Sequence, residues 1–297
     1  MSTQTAALER GGFRMGVFFV TVAAVAWGVG GIVAAVLYKS SGLGPLAVSF
    51  WRAAFGVAVL AGVQAVRRKP LTMRFGWPMI VVGLGVGVYQ SAYYGAIAQA
   101  GVSIGTVATL GACPVMVALG GSVFLRERLR ARTAVAIGVA VAGLVLLVGR
   151  PGAVGPHPVL GVGLALLSAA GYALVTLVSR ARRETGADEL GETLGAFYVA
   201  TICLLPVAAI EGIVPRAHLG ATIGWLVFLG AVPTALAYTL FFMGLKTVPA
   251  TLASVIVLAE PVSALALAVM LLHERLAWTA VVGTVLMLSA VFAIGKD

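Results

Sequence analysis

Long apolar stretches separated by short, mostly basic segments run through the whole chain. A hydropathy window of about 19 residues resolves ten such stretches. Most are long enough to cross a hydrocarbon core of about 30 Å at about 1.5 Å per residue, and the fifth and tenth are the shortest. The pattern therefore predicts an all-α membrane protein. We expect its ten transmembrane helices at residues 16–38, 45–66, 77–98, 103–125, 133–148, 159–179, 193–210, 219–242, 249–272 and 278–294.

The basic residues are distributed unevenly between the two sides of this predicted bundle. Fifteen of the 20 lie on the side of the N-terminus and four on the opposite side. Because cytoplasmic loops are rich in Lys and Arg, we expect both termini in the cytoplasm and the chain in a bacterial inner membrane. Residues 1–15 then form a cytoplasmic segment. The first apolar stretch has about 23 residues and no clear cleavage site, which predicts an uncleaved helix.

Composition excludes several classes of protein. The chain is 61% hydrophobic and 10% charged, with a mean hydropathy of +1.06, so the lipid bilayer is its expected surroundings. The net charge of +10 falls in short loops, which argues against nucleic acid as a partner. Cys113 and Cys203 lie singly in apolar stretches and suggest neither a disulfide framework nor a metal site. No cofactor is indicated, and we expect a monomer.

The chain also contains an internal repeat. The motif Leu-x-Glu-Arg-Leu occurs at residues 125–129 and again at 272–276, an offset of 147 that also relates Pro114 to Pro261. We expect two halves, residues 16–148 and 159–295, joined by a linker at 149–158. Because each half has five helices, the second must enter the membrane from the opposite face. Inverted repeats of this kind surround the central site of many secondary transporters.

Together these features resemble the drug/metabolite transporter superfamily, and in particular its EamA-type exporters. The similarity rests on the ten helices, the paired Leu-x-Glu-Arg-Leu motifs, the Glu260-Pro261 pair and the Ser-Phe-Trp-Arg sequence at 49–52. It implies small-molecule export by alternating access, with the first four helices of each half lining a cavity and the fifth bracing the bundle. The sequence Tyr-Gln-Ser-Ala-Tyr-Tyr at 89–94 resembles the cavity-lining stretch of YddG-like aromatic amino-acid exporters.

Two charged residues fall inside predicted helices. Glu260 lies at the centre of the ninth apolar stretch, where it either stays protonated against a backbone carbonyl freed by Pro261 or serves proton coupling or the cavity. Arg52 lies about seven residues into the second helix. It either extends outward to the interface or pairs with Glu260 or with a substrate carboxylate.

Aromatic residues with a polar group complete the candidate substrate site. Tyr89 and Tyr93 are four residues apart and share a helix face, and Gln90 beside them would be costly against lipid. Trp27 corresponds to Tyr172 at an offset of 145. Such residues serve core packing or an interface belt more often than ligand contact. The candidate substrate-binding set is Trp27, Arg52, Tyr89, Gln90, Tyr93, Tyr172, Tyr238 and Glu260.

Three prolines, Pro114, Pro233 and Pro261, interrupt helix interiors and are candidate kinks or hinges. We expect Glu127 and its repeat counterpart Glu274 to cap helices and to fix the hairpin within their own half.

The function we expect is amino-acid export, of aromatic or broadly hydrophobic side chains. One alternative is proton-coupled export of drugs or other metabolites. Another is an intramembrane enzyme, against which the absence of any Ser/His/Asp set within the predicted helices argues.

Overall fold

The computed structural model describes residues 3–67, 76–100, 102–148, 156–182, 189–272 and 278–294. Within these ranges the regular secondary structure is entirely helical. The helices are α1 (Thr3–Ser40), α2 (Pro45–Val66), α3 (Trp77–Ala100), α4 (Val102–Phe124), α5 (Ala131–Val148), α6 (Pro158–Ala181), α7 (Glu189–Glu211), α8 (Leu219–Gly230), α9 (Ala237–Leu245), α10 (Ala250–Ile256), α11 (Ala259–Leu272) and α12 (Trp278–Ile294), with a π-helical stretch, Ala231–Leu236, between α8 and α9.

These helices form ten membrane segments. Seven are long and apolar enough to cross a bilayer, and three shorter apolar stretches, in α5, α10–α11 and α12, make up the ten. The eighth segment comprises α8, the π-helical stretch and α9. The ninth comprises α10 and α11, which a turn at residues 257–258 separates. The predicted all-α fold of ten transmembrane helices is confirmed.

Proline helps to set where two of the helices begin. Pro45 opens α2 and Pro158 opens α6. At the first position of a helix the N–H has no partner within the helix, so the missing donor of proline costs nothing there, and its fixed φ already suits a helix.

Contacts between chain ends and loops define two faces of the bundle. We call the face at which α1 begins the near face. There the side chain of Arg180, at the end of α6, donates to the carbonyl of Leu245, at the end of α9. We call the opposite face the far face. There the N–H of Arg216 donates to the carbonyl of Ser41, just after α1, at 2.9 Å.

Helix contacts reveal the symmetry of the fold. α1 of the first half packs against α9 and α11 of the second, and α6 of the second half packs against α3 and α4 of the first. α2 packs against α7, and α5 against α12, which are helices in corresponding positions. This is the arrangement of two inverted five-helix repeats related by a two-fold axis in the membrane plane.

One pair of glycines shows the symmetry at the level of single residues. A Cβ atom on Gly16 would collide with Thr247 and Val248 at the near face, beside α9. A Cβ atom on Gly161, at the offset of 145, would collide with Ala100 at the end of α3. Because neither site leaves room for a side chain, each glycine permits a close helix crossing at an equivalent point of its own half.

Candidate functional site

A cavity of about 270 Å³ lies between the two halves. All eight side chains of the candidate substrate-binding set line it. Its other lining residues are Gly30, Gly31, Ala34, Tyr38, Tyr94, Ile97, Thr109, Leu110, Cys113, Ser168, Pro233, Ser254, Val257 and Leu258.

The cavity lies toward the far face. Its lining on α1 runs from Trp27 to Tyr38, which is the half of that helix nearer the far face. The other half of α1 is packed shut, with Val20 and Ala23 fully buried. Among the described residues, α5, α7 and α12 contribute nothing to the lining. We expected the first four helices of each half to line the cavity and the fifth to brace the bundle. That expectation needs one correction, since α7, the second helix of its half, packs on α2 and α3 and contributes no described lining residue.

Arg52, the eighth residue of α2, extends into this cavity and is half-buried. Its Nε donates to Oγ1 of Thr234 at 3.3 Å, and that hydroxyl in turn donates to the carbonyl of Leu229 at 2.8 Å. Because Nε is the atom held, the two terminal nitrogens of the guanidinium stay available. They form the pair of donors that suits a carboxylate.

Glu260 does not lie at the centre of a continuous helix, as the sequence indicated. The chain turns at Val257–Leu258, and Glu260 stands in the first turn of α11. A carboxylate in a first turn is stabilised by the positive end of the helix dipole. The break lies four residues before Pro261, which has no N–H to donate to the carbonyl of Val257 and whose ring clashes with it, so the proline accounts for the interruption.

Arg52 and Glu260 face the same cavity without forming an ion pair. Among the residues that the structure describes, no such contact joins the two groups, and the Glu260 carboxylate has no hydrogen bond. The direct Arg52–Glu260 pair, one of the alternatives for Arg52, is thus absent from this conformation. The two side chains instead stand open to the same space.

Aromatic rings from both halves form the wall of the cavity that faces the near side. The ring centroid of Trp27 lies 4.8 Å from that of Tyr238 and 5.4 Å from that of Phe241. Tyr172 lies 6.2 Å from Phe241 and 6.1 Å from Tyr89. The indole N–H of Trp27 donates to the carbonyl of Pro233 at 2.9 Å, so the ring is fixed in position.

The three candidate kinks lie in different surroundings. Pro233 stands in the π-helical stretch, and its carbonyl accepts from Trp27. Pro261 falls in the first turn of α11, just after the break in the ninth segment. Pro114 lies inside α4, which continues through it.

Several cavity residues were not singled out from sequence. Tyr38, whose ring makes an edge contact with that of Tyr94 at 6.5 Å, lies near the end of α1 and looks like an interface aromatic, and Tyr94 was noted only as part of the stretch at 89–94. Thr109 and Ser254 are small polar residues within apolar stretches, and no sequence pattern separates them from ordinary helix-packing residues. Thr234, whose hydroxyl accepts from Arg52, is likewise not distinguished by any sequence pattern.

A network at the near face closes the bundle below the aromatic rings. Glu127 accepts from the backbone N–H of Ala250 at 3.1 Å, at the beginning of α10, and contacts Nε of Arg180 at 3.5 Å. Its side chain is 18% exposed and that of Arg180 8%. The backbone turn at Arg126, where φ is +53°, closes α4 and directs Glu127 across the interface.

The partners of Glu127 differ from those expected. We expected it to fix the hairpin within its own half, yet all three partners, Arg180, Ala250 and Thr251, belong to the other half. The loop between α4 and α5 lies against the start of α10 and the end of α6 at the near face, so Glu127 meets residues of the other half. Glu274, its counterpart, is outside the described residues.

Comparison with known proteins gives the family. The model of the EamA-like transporter family matches the chain twice, over residues 14–149 and 159–296. The uncharacterized transporter YwfM of Bacillus subtilis is 29% identical over 280 residues, covering 93% of this chain and 92% of that protein. An uncharacterized protein of Pseudomonas aeruginosa is 32% identical over 225 residues, covering 75% and 74%.

One solved crystal structure is similar in fold. It matches with a TM-score of 0.80 at 20% identity and covers 94% of this chain and 95% of its own. Both family matches coincide with the two five-helix halves, and together they span nearly the whole sequence. The chain is therefore a membrane transporter rather than an enzyme, and it belongs to the EamA-like transporter family of the drug/metabolite transporter superfamily.

Proposed function

We propose that this transporter exports amino acids, with aromatic or broadly hydrophobic side chains, by alternating access. The observation that carries the proposal is the pair of open charges, Arg52 and Glu260, in one aromatic-lined cavity. An amino acid is a zwitterion, and these two groups are complementary to its carboxylate and its ammonium. The aromatic rings offer an apolar surface to the rest of the molecule.

Arg52 is the proposed carboxylate site. With Nε held by Thr234, its two terminal nitrogens can bind both oxygens of a carboxylate. Glu260 is the proposed ammonium site, helped by its place beside the rings of the cavity, which also attract a cation. A cavity of about 270 Å³ is slightly smaller than the usual range for drug-sized ligands, which favours a small metabolite.

The near-face network supports the alternating-access part of the proposal. Glu127 and Arg180 join loops of opposite halves, so a rotation of one half against the other must separate them. With this network formed and the cavity displaced toward the far face, the conformation corresponds to the outward-facing state. Our assignment of the near face as cytoplasmic rests on the fifteen basic residues of that side.

Uptake into proteoliposomes tests the proposal. Purified protein would be reconstituted and offered labelled neutral amino acids, nucleosides and organic cations, with and without a pH gradient. We expect saturable uptake of amino acids, abolished in Arg52→Gln and in Glu260→Gln. Uptake of organic cations that depends on Glu260 but not on Arg52 would instead support the alternative of drug export, since one carboxylate among aromatic rings suffices for a cation.

A matched control separates loss of the site from loss of the fold. Glu211 is a carboxylate that caps a helix at the far face, where Oε2 accepts from the N–H of Ala47 at 2.7 Å. It lies outside the cavity lining. Glu211→Gln should retain uptake. If it lost uptake as completely as Glu260→Gln, the effect would reflect general damage and the proposed site would be refuted.

A further inference from the structure

The wall of the cavity made by α3, α4 and α6 differs in charge from the part that contains Arg52 and Glu260. Its lining residues include Tyr89, Gln90, Thr109, Cys113 and Tyr172, and none of the described lining residues on these three helices is charged. Cys113 occupies the position that corresponds to Glu260 at the offset of 147. The two-fold symmetry of the backbone is therefore broken in the chemistry of the cavity, and a bound molecule has one favoured orientation.

Two buried polar side chains on the α3 and α4 part of this wall lack hydrogen bonds to the described residues, as does the hydroxyl of Tyr172 on α6. Both amide atoms of Gln90 and the hydroxyl of Thr109 have no partner among the described residues, and each residue is 4% exposed. Buried polar groups in proteins are almost always hydrogen-bonded, because leaving one unpaired costs about 1–3 kcal/mol. Since both line the cavity, a molecule bound there is able to supply the missing partners.

The two residues stand opposite each other. α3 and α4 form an antiparallel hairpin in which the hydroxyl of Tyr93 lies 3.3 Å from that of Thr106. One turn earlier along α3 is Gln90, and one turn later along α4 is Thr109, so the two lie at the same level of the hairpin. Together they provide amide and hydroxyl donors and acceptors over a small patch.

We propose that Gln90 and Thr109 form a subsite for the side chain of the transported amino acid and select side chains that carry a neutral hydrogen-bonding group. Hydroxyl, phenol, carboxamide and indole N–H groups fit this chemistry. An ionised side chain does not fit, because the wall offers no counter-ion. This inference rests on the proposed function, with the amino-acid head group at Arg52 and Glu260, and it defines what the other end of the substrate must be.

The test compares near-isosteric substrates that differ by one hydroxyl. Uptake of labelled threonine against valine, and of tyrosine against phenylalanine, would be measured as kcat/KM in proteoliposomes. We expect the hydroxyl-bearing member of each pair to be favoured by about tenfold or more, since a site built to bond a hydroxyl discriminates strongly against its absence. In Gln90→Leu and in Thr109→Val the preference within each pair should fall to about twofold or less.

Gln64 provides the matched control. It is a second buried glutamine, 1% exposed, whose amide atoms also have no partner among the described residues, but it lies outside the cavity lining. Gln64→Leu should leave both preferences unchanged. Equal uptake within each pair by the wild-type protein would overturn the subsite while leaving amino-acid transport standing, because water would then satisfy these groups. No uptake of any amino acid would overturn both proposals.

Discussion

Neutralising Glu127 should open the near face. The variant Glu127→Gln keeps the size and shape of the side chain and removes its charge, so the contact to the Ala250 N–H becomes neutral and the ion pair with Arg180 is lost. Hydrogen bonds to charged groups contribute about 1.5–3 kcal/mol and neutral ones about 1 kcal/mol. Because both groups are largely buried, solvent screening reduces this difference only in part.

We expect Glu127→Gln to destabilise the conformation closed at the near face by about 2 kcal/mol. The open conformation is not affected, because the network is already separated there. A change of about 1.4 kcal/mol alters an equilibrium tenfold, so the population open at the near face should rise about 30-fold. Cys113 is a natural reporter, since it is 6% exposed and lines the cavity. In a Cys203→Ala background it is the one remaining cysteine of the chain.

The assay is the rate at which a membrane-impermeant maleimide, applied from the near face of oriented vesicles, labels Cys113. We expect Glu127→Gln to raise this rate about 30-fold. Glu211→Gln is the matched control, because it removes the charge of a helix-capping carboxylate at the far face. A rate unchanged by Glu127→Gln, or raised equally by both variants, would refute the role given to the near-face network.

Three further predictions concern the cavity. Gly31→Phe should block uptake without unfolding, since a Cβ atom on Gly31 meets open space in the cavity, whereas Gly224→Phe, at an exposed glycine with equal room on α8, should transport normally. Thr234→Val should raise KM several-fold more than it lowers kcat, because Arg52 loses the hydroxyl that orients it. Trp27→Phe should reduce the free energy of unfolding by about 1 kcal/mol, measured in detergent by thermal denaturation, through the lost indole hydrogen bond.

The number of membrane segments and their symmetry could be predicted from sequence because both depend on local features. Hydrophobic length is a property of each stretch by itself, and an odd number of helices per repeat forces the inversion. The short fifth and tenth stretches form α5 and α12, as their hydropathy predicts. These two helices pack against each other away from the cavity. The side on which the termini lie stays a prediction from the charges.

Pro261 predicted a kink in the ninth segment, but the full break at Val257–Leu258 and the partners of Glu127 could not be predicted, for a physical reason. Val257 and Leu258 are as apolar as the residues next to them, so hydropathy shows one continuous stretch there. Pro261 weakens the helix at Val257, while α11 packs against α1. Similarly, the sequence around Glu127 identifies a capping carboxylate but carries no information about which distant N–H it meets.

The candidate site also contains residues that the sequence identified and residues that it did not. Charged and aromatic residues inside predicted helices are conspicuous, and Trp27, Arg52 and Glu260 do surround one cavity. Thr109 and Thr234 are not conspicuous, because small hydroxyl residues are common in membrane helices and often bond their own backbone. Their contribution becomes visible only when the partners of each side chain are known.

The most direct test of the proposed head-group site is equilibrium binding of a ligand series to the purified protein. Tyrosine would be compared with tyramine, which lacks the carboxylate, in the wild type and in Arg52→Gln. We predict that the wild type binds tyrosine at least about tenfold more tightly than tyramine, and that Arg52→Gln removes this difference while leaving tyramine binding unchanged. If Arg52→Gln weakened the binding of both ligands equally, Arg52 would not be the carboxylate site and the account would be contradicted.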